Sequence, residues 1–200
     1  MRKKILMLLS VLLVFSYSFA AGITYTSSSN EQTELKLKTF LKDFITMQYK
    51  NTMRKDLSTN RVYDIIDGII DASKIFKISP LMITAIIDTE TNFRNIIGKM
   101  GEIGYMQIRP TTAKYIVDKY PESFEKAGYK TNDLNWIKKR LLIDPKYNIL
   151  VGTAYLKHLL NYHDQNFYSA IGWYNGGGNE YYANKVIYKI AEITVTYPTI

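Results

Sequence analysis

Apolar residues recur at three- and four-residue spacing from about residue 34 almost to the end of the chain, which is typical of helices with one buried face. No stretch alternates apolar and polar residues as a half-buried strand does, and neither an internal repeat nor an interdomain linker is visible. The sequence therefore predicts an all-α fold. Residues 98–109 contain three glycines and are expected to form a loop or a small hairpin. The predicted helices lie at about 34–57, 61–76, 80–95, 110–120, 133–141, 145–162, 165–174 and 179–193.

The N-terminal residues have the three parts of a secretory signal peptide. Basic residues at 2–4 precede a mostly apolar run at 5–15, and the small residues Ser18 and Ala20 follow. The run is too short to span a bilayer comfortably, and an uncleaved anchor is the alternative. We expect an exported protein of the periplasm or cell envelope, soluble and without a stable membrane anchor once the signal is removed. The predicted order is a signal peptide at 1–20, a flexible segment at 21–33 and one domain at 34–200.

The composition restricts cofactors and partners. The chain has no cysteine and only two histidines, which excludes disulfides, thiolate metal sites and His-rich metal sites. No metal or organic cofactor is therefore predicted. The formal net charge of +8 favours nucleic acid, acidic lipid or acidic wall polymers, although a merely soluble basic protein would carry it too. Export and the lack of a recognition motif argue against nucleic acid.

One carboxylate falls on an apolar helix face. Ser79-Pro80 begins the third predicted helix, in which Glu90 shares a face with Ile83, Ile86 and Ile87. Asp88 is expected to point roughly opposite, toward solvent. Burial would raise the pKa of Glu90, and a general acid needs a raised pKa to hold its proton near neutral pH. The alternative is a structural Glu at the edge of the stripe, paired with a cation such as Arg94.

Two further segments carry groups that suit sugar recognition. Met106 and Gln107 follow a glycine-bounded turn, just before a helix that starts at Pro110. Tyr174 and Asn175 stand at a helix end before three glycines. An amide both donates and accepts hydrogen bonds, as sugar hydroxyls do, and aromatic faces stack on sugar rings. Taken singly, each of these residues has a structural explanation as well.

Taken together, these segments resemble the soluble lytic transglycosylases, bacterial enzymes of glycoside hydrolase family 23 with a lysozyme-like fold. The resemblance covers about residues 64–190, in the family's order and at suitable spacing apart from one stretch described below. The matching elements are Glu90-Thr91 for the catalytic "ES", Gly104-Tyr105-Met106-Gln107 for "GLMQ", Pro110-Thr111-Thr112-Ala113 for "P-x-T-A", Asp144-Pro145 with Asn148-Ile149, Gly152 and Tyr155-Leu156 for "dP-x-x-NI-x-x-G-x-x-YL", and Ala170 with Tyr174-Asn175-Gly176-Gly177 for "A-x-x-x-YN-x-G".

The resemblance implies an enzyme that cleaves the glycan strands of peptidoglycan without a cofactor. Glu90 would protonate the oxygen between N-acetylmuramic acid and N-acetylglucosamine, assisted by the substrate's own N-acetyl group. It would then accept the proton of the muramic 6-hydroxyl as a 1,6-anhydro ring closes, so that no water is consumed. Asn148 either contacts the substrate or braces the helices. The residues implied to bind substrate are Tyr105, Met106, Gln107, Asn148, Tyr174 and Asn175.

The chain departs from the family pattern at three points. Thr91 replaces the serine after the catalytic Glu, and Tyr105 replaces a leucine. The stretch between Glu90 and the "GLMQ"-like element is one residue shorter than in the family, and Gly98-Lys99 stand where the family usually has a serine. These departures concern how the substrate is bound around the cleaved bond. Glu102, in the turn before the "GLMQ"-like element, is a candidate second carboxylate.

Two other functions remain open at this point. A goose-type lysozyme would use the same fold but let water replace the 6-hydroxyl, and its products would differ. A catalytically silent wall-binding module of an envelope apparatus would bind sacculi without solubilising them. The sequence identifies no protein partner.

Overall fold

A computed structural model describes residues 31–130 and 133–196, and these are almost entirely helical. The predictions for residues 1–20 and 21–30 lie outside the described residues. The all-α prediction is confirmed. The helices are α1 (31–53), α2 (Thr59–Phe76), α3 (Pro80–Thr91), α4 (Pro110–Lys119), α5 (Pro121–Lys126), α6 (Leu134–Ile143), α7 (Pro145–Tyr162), α8 (Phe167–Tyr174) and α9 (Glu180–Thr196).

Several predicted boundaries were wrong for local backbone reasons. Residues 31–33, expected in the flexible segment, are helical, and α1 ends by Arg54, which has φ 57°. Helix α3 ends at Thr91 rather than near 95, because Asn92 and Phe93 adopt left-handed φ values of 50° and 59°. Such residues stop a helix, and Asn92 was a usable signal, because asparagine adopts left-handed φ more readily than most residues, whereas Phe93 gave none.

The stretch after α4 differs from expectation, whereas the glycine-rich stretch takes the first of its two expected forms. No helix was predicted between residues 120 and 133, but α5 lies there, and Pro121 stands at its first position, where proline suits a helix start. Among residues 97–108 the chain makes two isolated antiparallel bridges, Ile97 with Ile103 and Ile103 with Ile108. This stretch is therefore a loop folded back on itself rather than a regular hairpin.

Helix α7 lies at the centre of the packing. It packs against α2, α4, α6 and α8, while α9 packs against α3 and α8. Asp144 caps its start, because the Asp144 carboxylate accepts a hydrogen bond from the Tyr147 N–H at 3.1 Å, and Pro145 follows the cap. The described residues from Leu41 onward form one compact unit, and those before it group separately. No helix within the described ranges is long and apolar enough to cross a membrane.

The expectation for Asp88 is wrong: its side chain is buried, with 1% of the residue exposed. Consecutive residues from Ile83 to Asp88 are buried in α3, so the helix is covered on more than one face. On the side packed against α9, Lys189 Nζ lies 3.1 Å from Asp88 Oδ2. The side-chain amide of Asn92 donates to Asp88 Oδ1 at 3.0 Å. The ion pair therefore ties α3 to α9.

Replacing Lys189 with Met is expected to lower the free energy of unfolding by about 3 kcal/mol, because it leaves the Asp88 carboxylate buried without its cation. Urea denaturation measures the change. Lys138→Met, at an exposed position of α6, is the control, with an expected change within about 0.5 kcal/mol. Equal stability of the two variants would contradict a structural role for the pair.

Candidate active site

A cavity of about 430 Å³ opens beside the C-terminal end of α3. Its walls come from α3, the loop after it, and parts of α4, α7 and α8. The lining residues are Glu90, Gly98, Lys99, Glu102, Gln107, Ile108, Arg109, Thr112, Tyr155, Tyr174, Asn175 and Gly176. Of the residues implied to act on substrate, Glu90, Gln107, Tyr174 and Asn175 line this cavity together.

Glu90 is a half-buried carboxylate on the cavity wall. Burial raises its pKa above the ordinary value, and the charge of Glu102 raises it further. A hydrogen bond from Tyr182 and the charge of Lys185 oppose that shift without cancelling it. Arg94 makes no ion pair with Glu90, and its Nε–H donates to the Thr91 carbonyl at 2.7 Å. The carboxyl group is thus able to hold a proton at higher pH than a solvated glutamate.

Tyr182, on α9, is the residue that sequence reasoning missed. Its hydroxyl donates to Glu90 Oε1 at 2.6 Å, and its ring stacks on Tyr174 with centroids 6.5 Å apart and planes 8° apart. Burial raises the pKa of both tyrosines well above the ordinary value, so both hydroxyls stay protonated. The sequence offered only a weak signal, because Tyr182 shares the apolar face of α9 with Val186 in a chain of 17 tyrosines.

Asn148 braces the loop and does not line the cavity, which favours the second of the two roles open to it. The residue is fully buried, and its Oδ1 accepts from the Met106 N–H at 2.9 Å. Its Nδ2 donates to the carbonyls of Ile103 at 2.9 Å and Leu141 at 3.1 Å. The Met106 N–H and the Leu141 carbonyl depend on this side chain for a partner, whereas the Ile103 carbonyl also accepts from the Ile108 N–H at 3.2 Å.

Tyr105 and Met106 are buried as well, and neither lines the cavity. Tyr105 is 2% exposed and its hydroxyl is hydrogen-bonded to Arg61; burial raises its pKa to about 12. Met106 packs on Gly152, where an added Cβ would lie 2.5 Å from its sulfur. Its carbonyl accepts from the Tyr174 hydroxyl at 3.0 Å. The two side chains hold the loop in place from beneath.

Gln107 and Asn175 present amide groups at the cavity. Gln107, at φ 47°, donates from Nε2 to the carbonyls of Gly104 at 2.7 Å and Ile96 at 3.1 Å, which orients its Oε1 as an acceptor. Asn175 is exposed, and its Oδ1 accepts from Asn179 at 2.9 Å, which orients its NH₂ as a donor. The pair offers an acceptor and a donor in one cavity.

Thr112 and Tyr155 also line the cavity, although neither was singled out from the sequence. The Tyr155 ring lies 5.2 Å from that of Tyr174. Both residues stand inside segments that matched the family pattern, so the signal was present. Thr91, by contrast, is buried, and its hydroxyl donates a hydrogen bond to the Tyr105 carbonyl oxygen at 3.0 Å. This departure therefore falls outside the cavity.

Glu102 is a second carboxylate in the same cavity. Partial desolvation raises its pKa, but hydrogen bonds from its own backbone, Arg109 and the Met100 N–H lower it by more, so the net pKa is below the ordinary value. Arg109 Nε lies 3.1 Å from Glu102 Oε1. A Cβ added at Gly98 would come within 2.5 Å of Glu102 Oε2 and 2.6 Å of Gln107 Oε1. A serine at that position would thus require both side chains to shift.

The described residues contain no group of three or more His, Cys, Asp or Glu side chains that could hold a metal ion. The cavity brings together the carboxyl group of Glu90, the ionised carboxylate of Glu102, two side-chain amides and aromatic ring faces. These groups suit proton transfer and the binding of polar rings.

A family model described as "Transglycosylase SLT domain" matches residues 67–190, more than half of the chain. The matched range contains Glu90, the loop that Asn148 braces, all of α7 and α8, and Tyr182.

Proposed function

Because the chain belongs to the transglycosylase SLT domain family, we propose that it cleaves the β-1,4 bond between N-acetylmuramic acid and N-acetylglucosamine and leaves 1,6-anhydromuramic ends. The family identifies the chain as a transglycosylase acting on peptidoglycan, a polymer of the cell envelope. The observation that carries the finer proposal is the carboxyl group of Glu90, which lies in a cavity with a raised pKa and a hydrogen bond from Tyr182.

In the first half of the proposed reaction, protonated Glu90 donates its proton to the bridging oxygen as the bond from that oxygen to the muramic C1 breaks. The substrate's N-acetyl carbonyl oxygen stabilises the positive charge at C1, which makes a second protein carboxylate unnecessary. In the second half, the 6-hydroxyl oxygen bonds to C1 and its proton passes to the Glu90 carboxylate. The attack is intramolecular, which favours it over attack by water.

The other residues have supporting roles in this proposal. The Tyr182 hydroxyl stabilises the carboxylate form of Glu90 between the two proton transfers and fixes its orientation. Gln107 and Asn175 accept from and donate to sugar hydroxyl and acetamido groups, and Tyr155 and Tyr174 provide ring faces. The roles implied for Tyr105, Met106 and Asn148 reduce to shaping the loop.

A hydrolase of the goose-type lysozyme class is the second candidate, and Glu102 is the observation that favours it. Glu102 lines the same cavity and its pKa is lowered, so it is ionised and could take a proton from water. Hydrolysis would leave reducing muramic ends in place of anhydro ends.

Digestion of purified peptidoglycan by residues 21–200 tests the proposal, with mass spectrometry of the soluble muropeptides. Anhydromuramic ends are expected. Reducing ends would support the hydrolase instead, and binding without release would support a wall-binding module.

Replacing Tyr182 with Phe is expected to move the alkaline limb of the kcat/KM–pH profile to higher pH. The Tyr182 hydrogen bond lowers the pKa of Glu90, so its loss lets Glu90 stay protonated to higher pH. Tyr181→Phe, at the adjacent position with 81% exposure, should leave the limb unchanged. A limb that stays in place or moves to lower pH in Tyr182→Phe would contradict this role.

A further inference from the structure

Two packed helices lead away from the cavity, and each carries a residue that lines it. Thr112 of α4 and Tyr155 of α7 line the cavity, and α4 packs on α7. Three residues farther along each helix stand Tyr115 and His158, whose rings meet edge to face with centroids 5.4 Å apart. Because residues three apart lie on the same helix face, this ring pair continues the cavity wall.

The surface beyond that pair is aromatic and basic. Tyr115 is 51% exposed and Tyr162 is 72% exposed. Tyr162 lies seven residues after Tyr155, on nearly the same face of α7 and about 10 Å along its axis. Lys119 Nζ lies 5.5 Å from the centre of the Tyr115 ring and 3.3 Å from its hydroxyl. We call Tyr115, His158, Tyr162 and Lys119 the aromatic track.

We propose that the aromatic track binds the glycan strand beyond the cavity, with Lys119 receiving a carboxylate of a peptide stem. The inference rests on the proposed function, since it extends the same substrate from the same cavity. Exposed ring faces stack on sugar rings, and a lysine beside them suits the carboxylates that peptidoglycan stems carry. Each of the two helices runs without a break from the cavity to the aromatic track, so the distance between the cavity and the track is fixed.

The track makes binding depend on strand length. A fragment that fills only the cavity contacts Glu90, Gln107 and Asn175, whereas a longer strand also covers Tyr115 and Tyr162. Long strands should therefore bind more tightly than short fragments, and the difference should disappear when the track is removed. A surface that merely happens to carry tyrosines would produce no such dependence.

The test measures binding of purified glycan strands, with and without peptide stems, to Glu90→Gln protein, in which cleavage does not interfere. Adding Tyr115→Ala should weaken binding of long strands of both kinds roughly tenfold and leave short fragments unaffected. Adding Lys119→Gln should weaken binding only of strands with stems, by up to about fivefold. Tyr63→Ala is the matched control, because Tyr63 lies on α2 away from the cavity with 48% exposure.

Equal binding by the Tyr115→Ala and Tyr63→Ala proteins would overturn the track. A Lys119→Gln effect of the same size on strands without stems would overturn the carboxylate contact. Failure of the proposed function is separate, because it would appear as strand binding by Glu90→Gln with no cleavage by the unmodified protein. A Glu90→Gln protein that binds no strand at all would overturn both.

Discussion

Replacing Glu90 with Gln is expected to lower the rate of glycan release from peptidoglycan by on the order of a thousandfold or more, since one group supplies both proton transfers. Glutamine has nearly the same shape and its carbonyl oxygen still accepts from Tyr182, so the fold and substrate binding should persist. The amide cannot donate an acidic proton to the bridging oxygen. Initial rates of muropeptide release measure the loss of activity, and circular dichroism of the same samples measures whether the fold persists.

Glu102→Gln is the matched variant in the same cavity. Glu102 transfers no proton in the transglycosylase mechanism, so this change should lower the rate less than tenfold. The loss of rate in Glu90→Gln should be much larger. Comparable losses in the two variants would favour the hydrolase, in which Glu102 activates water. Substantial cleavage by pure Glu90→Gln protein would remove Glu90 from the catalytic role.

Replacing Asn148 with Ala should have the largest effect on stability, a loss of roughly 3–6 kcal/mol in the free energy of unfolding. The change leaves the Met106 N–H and the Leu141 carbonyl buried without partners, and it removes one of the two hydrogen bonds that the Ile103 carbonyl accepts. The loop that carries Gln107 should loosen, so activity should fall along with stability. Urea denaturation and activity per folded molecule measure the two effects.

Asn175→Ala is the control for Asn148→Ala, because it removes an exposed amide at the cavity. Its unfolding free energy should change by less than about 1 kcal/mol while substrate affinity falls. The opposite pattern, a stable Asn148→Ala protein with weakened substrate binding, would mean that Asn148 contacts the glycan after all.

The helices and the position of Glu90 were accessible from the sequence because both depend on local spacing. Periodicity set the helices, with errors where a left-handed residue such as Asn92 ends one. It also put Glu90 on an apolar face, and the structure agrees that burial raises its pKa. The same rule failed for Asp88, because α3 is buried on more than one face and a lysine from α9 compensates the charge.

Which side chains of the loop face the cavity and which are buried depends on contacts between residues distant in the sequence. The spacing of residues along the chain could not predict it. Tyr105 and Met106 stand inside the matched pattern, yet their side chains turn inward, and Gln107 next to them reaches the cavity. Tyr182 lies 92 positions after Glu90, and only the packing of α9 on α3 brings the two together. A pattern of residue types does not distinguish a side chain that shapes a site from one that faces it.

Digestion of peptidoglycan in water enriched in oxygen-18, with mass spectrometry of the muramic ends, separates ring closure from attack by water. If Glu90 accepts the proton of the 6-hydroxyl as the 1,6-anhydro ring closes, the ends should be anhydromuramic and carry no oxygen-18. The Glu90→Gln protein should then produce no anhydromuramic ends. Reducing muramic ends labelled with oxygen-18 would show that water attacks C1, and the transglycosylase account would be wrong.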